Sequence, residues 1–229
     1  MAAAAHPSPS RVATPPARGV KAEAGPARFI AEPAALGLAA FALSTMALSF
    51  INVGILDDVD LPVVLGLALA YGGLVQLLAG MWAFVKNDTF AAVALSSYGG
   101  FWISFWALNE FFLPKIPADH RAGALALYLF CWAVFTFYMW IVSFRVSLAV
   151  QAVFLTLWPA YVLLGLGKAL DSTLLFNLGG AFGIATAAFA WYASFAITAN
   201  RTTQRDWLPL GDTRSVQQDS GNGVPAPTR

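Results

Sequence analysis

Runs of apolar residues about as long as a bilayer is thick alternate with short polar breaks along most of this chain. A helix needs about 20 apolar residues to cross the hydrocarbon core. By that rule six segments qualify, at roughly 33–56, 61–85, 89–113, 122–143, 147–168 and 173–199. The breaks are Asp57-Asp58-Val59-Asp60, Lys86-Asn87-Asp88, Pro114 to Arg121, a tight turn near Arg145, and Lys168 to Ser172. Connections this short make neighbouring helices antiparallel. The pattern predicts an all-α membrane protein. A six-helix transmembrane domain over 32–199 lies between a disordered tail at 1–31 and a C-terminal tail at 200–229, unfolded and with Trp207 at the membrane surface.

Composition agrees and removes alternatives. Hydrophobic residues make up 59% and charged residues 11% of the chain, whereas soluble domains carry roughly a quarter charged residues. A formal net charge of +1 gives no basic field for nucleic acid. The lone Cys131 excludes a disulfide within the chain and a sulfur-rich metal centre, so no metal or cofactor is expected. Orientation follows from the basic residues. Arg11, Arg18, Lys21, Arg28, Lys86, Arg145, Arg201, Arg205, Arg214 and Arg229 fall on one side, against Lys115, Arg121 and Lys168 on the other. Both termini are therefore expected in the cytoplasm, with the triple-Asp turn outside.

Polar groups inside spans turn toward neighbouring helices or wet cavities, so they are the candidates for function. Phe41, Thr45, Leu48 and Asn52 share one face of the first span, flanked by Ser44. Such a stripe reads either as a pore lining with an aromatic restriction or as interhelical hydrogen-bonding glue. Gln76 shares a face with Gly73 and Gly80, whose small size suits close packing. The third span carries Ser97 and Tyr98, with Glu110 within reach of the interface near Pro114. Aromatic residues from Trp132 to Trp140 are assigned to lipid and subunit contacts. Pro159 is expected to kink the fifth span, and Gly179, Gly180 and Gly183 to seat the sixth closely on its neighbours. No HExxH, P-loop, GxSxG or dinucleotide pattern occurs, and no aspartate pair lies within a span, so no enzyme is indicated.

The motifs together resemble the acetate uptake transporters, the succinate–acetate permease family. Glu32, Pro33, Ala34, Ala35, Leu36, Gly37 and Leu38, followed by Phe41, resemble that family's NPAPLGL…F signature. The similarity continues through Asn52-Val53-Gly54, Tyr71-Gly72-Gly73 with Gln76, Asn87-Asp88-Thr89-Phe90, Ser97 to Trp102, Pro114-Lys115, Phe135-Thr136 and Leu208 to Gly211. The resemblance implies a six-helix protomer assembled as a homohexamer in the plasma membrane, carrying acetate, and in some members succinate, with protons. It implies a hydrophobic constriction at Phe41, Tyr98 and Leu157, and an entrance motif formed by Glu32, Pro33, Leu36, Gly37 and Leu38. Thr45, Asn52, Gln76 and Ser97 would offer hydrogen bonds along the path.

The chain departs from the family pattern at Glu32 and Ala35, where the signature has Asn and Pro. It departs again at Ala83 and Ile197, where members commonly carry Glu. Those losses motivate a second expectation, a non-transporting sensor or assembly protein on the same fold. A third is a channel for another small solute such as water, ammonia or a different acid.

Overall fold

The computed structural model describes residues 30–211, so most of the expected N-terminal tail and the end of the C-terminal tail lie outside the described residues. Within them, six helices are long and apolar enough to cross a membrane: Pro33–Asn52, Asp58–Val85, Thr89–Lys115, Ala118–Ser143, Leu148–Ala169 and Thr173–Thr203. They are called the first to sixth helices below. Large apolar side chains such as Leu78, Leu127, Val134 and Phe195 remain more than half exposed on the outside, which suits contact with lipid tails.

Local chemistry sets the boundaries. Pro33 occupies the first turn of the first helix, where a missing N–H costs nothing. Gly54, with φ of 81°, closes that helix in the left-handed conformation, so it stops at Asn52 and not at 56. Asp88, Ser147 and Ser172 cap the third, fifth and sixth helices by accepting from the backbone N–H groups of Ala91, Val150 and Leu175. The fifth helix continues without a break through Pro159.

Two deviations were not visible in hydropathy. Ala70–Val75 in the second helix and Leu108–Phe112 in the third are π-helical. A π-turn takes in about one extra residue, which rotates the residues beyond it by roughly 100° relative to an unbroken α-helix. Gln76 is the first residue after the π-turn of the second helix.

Packing follows the order fourth, fifth, sixth, first, second, third, with the strongest contacts between consecutive members. Small residues make these contacts close. A Cβ on Gly180 would strike the Asn52–Val53 backbone, and one on Gly183 would strike the Ser49 hydroxyl, both on the first helix. Gly179 faces Leu164 of the fifth helix, so the sixth helix is seated as its glycine spacing predicted. Thr186 donates to the Thr156 hydroxyl at 2.8 Å, and Ser194 donates to the Ala35 carbonyl at 2.6 Å.

The chain beyond residue 199 is not wholly a tail. The sixth helix runs to Thr203, and 204–211 folds back over the turn that opens the fifth helix. Leu148 and Ala149 donate to the carbonyls of Gly211 and Leu210. The Asn200 side chain accepts from the Trp207 and Leu208 N–H groups and donates to the Leu208 carbonyl. The Tyr192 hydroxyl donates to the Pro209 carbonyl at 2.6 Å. Hydropathy missed this anchoring because hydrogen bonds hold it, from the backbone of Leu148 and Ala149 and from the side chains of Asn200 and Tyr192. Ile30 lies at the same end, within reach of Lys86 Nζ at 3.4 Å, so both ends of the described chain share one face of the bundle.

Candidate functional site

A cavity of about 580 Å³ opens at this terminal face and runs into the bundle. Exposed Arg201, Gln204, Arg205 and Asp206 surround its mouth, together with Glu32, Asp88 and Asn200. Ala34, Leu38 and Phe41 line its wall from one stripe of the first helix, spaced by four and three residues. The third helix adds Phe90, Ala94 and Tyr98, and the fifth adds Val150, Phe154 and Leu157. The lining is therefore charged at the mouth and apolar within.

Phe41, Tyr98 and Leu157 meet in this wall and are only 3–4% exposed. The rings of Phe41 and Tyr98 lie 5.4 Å apart between centroids. Tyr98 is also held by Phe135 at 5.3 Å, Trp132 at 6.0 Å and Phe154 at 6.1 Å. Its hydroxyl lies 2.9 Å from that of Thr136, whose single proton is directed to the Trp132 carbonyl at 2.7 Å. Tyr98 is therefore the donor in the pair. Trp132 and Phe135, assigned from sequence to lipid and subunit contacts, instead turn inward. Phe137 and Tyr138, 44% and 47% exposed, keep the outward assignment.

The polar candidates separate. Gln76 lines the cavity with 0% exposure, and neither Oε1 nor Nε2 has a hydrogen-bond partner. A buried amide that lacks partners costs about 1–3 kcal/mol, so this position is poised to bond something that enters. Thr45, Asn52 and Ser97 are not in the cavity wall. Asn52 is buried against Gly180 at the contact of the first and sixth helices. Thr45 is buried with its hydroxyl unpartnered, and Ser97 is half-buried on the third helix.

Of the entrance motif, Glu32 and Leu38 line the cavity, Pro33 begins the helix, Gly37 abuts Leu95, and Leu36 is 47% exposed. Ala83 is fully buried in an alanine-rich contact with Ala79, Ala91 and Ala92. Ile197 lines the cavity near its mouth, one turn before Arg201.

The family model for the GPR1/FUN34/yaaH family matches residues 17–209. The chain belongs to this family. Acetate permease A of Emericella nidulans is 39% identical over 199 residues, which cover 80% of this chain and 67% of that protein. The succinate-acetate/proton symporter SatP of Escherichia coli K12 is 31% identical over 188 residues, covering 80% of this family member and 97% of the symporter. The solved structure of the bacterial acetate channel SatP superposes with a TM-score of 0.74 at 32% identity, over 80% of this chain and 99% of that one. This family member is thus a multi-pass membrane protein, and the resemblance read from its motifs extends to its fold.

Proposed function

We propose that this protein moves acetate and similar short monocarboxylates through a pathway within each protomer, coupled to protons. The observation that carries the reading is the cavity lined by Phe41, Tyr98 and Leu157 with the unpartnered Gln76 amide in its wall. The names of its relatives support the same substrate class.

The physics of the restriction favours proton linkage. Moving a bare carboxylate into an apolar constriction carries a large desolvation cost, whereas the neutral acid, or an anion accompanied by a proton, crosses far more cheaply. Gln76 presents a donor and an acceptor on one planar group, which matches the C=O and O–H of a carboxylic acid. The aromatic cage around Tyr98 holds the narrow point rigid, so size and hydrogen bonding can discriminate together. The plasma membrane, a homohexameric assembly and cytoplasmic termini complete this proposal, with the mouth ringed by Arg201 and Arg205 on the inner side.

Purified full-length protein in liposomes tests it. Labelled acetate should accumulate under an inward proton gradient and should be displaced by unlabelled short monocarboxylates but not by ammonia or urea. Absence of uptake with correctly folded protein, as the non-transporting alternative requires, would refute the proposal.

A further inference from the structure

We propose that Arg201 receives the carboxylate of a transported acid at the terminal mouth, and that Glu32 competes for the same guanidinium and so sets how readily anions enter there. This rests on the transport reading of the cavity.

Glu32 and Arg201 come from opposite ends of the helical domain and meet at the rim of the pathway, with Oε2 and Nη2 3.9 Å apart. Their surroundings are unequal. Glu32 is anchored, because Oε1 accepts from the Ala34 N–H at 3.5 Å and its side chain is only 21% exposed. It also sits at the N-terminal end of the first helix, where the helix dipole favours a negative charge. Arg201 is 75% exposed and is the more solvated member. A guanidinium has five donors arranged to match a carboxylate, and one contact at 3.9 Å leaves most of them unused.

The chemistry of the competition is symmetrical. Acetate and the Glu32 side chain present the same functional group, so one can replace the other on Arg201 without a new kind of bond. Exposed ion pairs are weak, so dissolved carboxylate can displace the internal one. Asp88, Arg205 and Asp206 line the same mouth. The field there is mixed rather than uniformly basic, which leaves the partner of Arg201 to decide local anion occupancy. Glu32 is therefore a built-in competitor for substrate.

The test is sided flux from full-length protein in liposomes, with orientation fixed by protease access to the C-terminal tail. Acetate entry from the terminal face is followed against concentration. Glu32→Gln keeps size and removes charge, so the apparent KM from that face should fall about two- to fivefold, the scale of an exposed pair. The gain should shrink at high salt. Arg201→Gln should raise KM by a similar factor, Arg201→Lys should retain most of the native value, and the Glu32→Gln/Arg201→Gln double variant should behave like Arg201→Gln alone. An unchanged or higher KM in Glu32→Gln, with native melting behaviour and intact wild-type flux, overturns this inference and leaves the transport reading standing. A wild-type protein without acetate flux overturns both.

Discussion

The Tyr98 hydroxyl donates to the Thr136 hydroxyl at 2.9 Å, across the third and fourth helices. Those helices share few close backbone contacts, so side-chain links join them: this bond, the bonds of the Tyr128 hydroxyl with Ser104 and the Phe101 carbonyl, and the rings of Trp132 and Phe135. Thr136→Val removes the acceptor while keeping shape, and Tyr98→Phe removes the donor. Each should destabilise modestly, with a coupling energy of about 0.6 kcal/mol and no more than about 1.7, the range for interhelical hydrogen bonds in membranes. A double-mutant cycle on thermal unfolding in detergent measures it. Additive single effects would show that the bond does no joint work.

Gln76→Leu should separate stability from transport. Burying an amide without partners is costly, so an apolar residue of similar volume should leave the melting temperature unchanged or higher. Uptake should nevertheless fall about tenfold or more, because a site built to hydrogen-bond its substrate loses that term. A variant that melts lower and transports normally would reverse both expectations.

The glycine contacts give a paired steric prediction. Gly183→Val drives its side chain into Ser49 and should cost about 1–3 kcal/mol through overpacking, seen as lost monodispersity in size-exclusion chromatography. Gly66→Ala, where a Cβ meets nothing within 4 Å, should be tolerated.

Asn200 is expected to anchor the folded-back segment. Asn200→Ala removes both acceptor contacts to Trp207 and Leu208 and the donation to the Leu208 carbonyl. Hydrogen exchange across 204–211 should quicken markedly while the helices stay protected. Unaltered exchange would assign the anchoring to Tyr192 and the backbone bonds from Leu148 and Ala149 instead.

Six membrane helices were legible in the sequence, because a bilayer demands a fixed length of apolar helix and the breaks carry charge, proline and glycine. The sixth helix's contact face was legible too, since small residues at Gly179, Gly180 and Gly183 leave few other arrangements. The tertiary structure decided which polar groups face the cavity. Phe41, Thr45 and Asn52 share one stripe of an ideal helix, yet only Phe41 reaches the cavity wall, because the sixth helix covers Asn52. The π-turn before Gln76 adds a rotation that no hydrophobic period reports. The pairing of Glu32 with Arg201 joins positions far apart along the chain, so sequence could flag Glu32 as a departure but could not supply its partner. Hydrophobic period fixes which segments enter the membrane, whereas the meeting of side chains from different helices depends on rotations and offsets set only when the bundle closes.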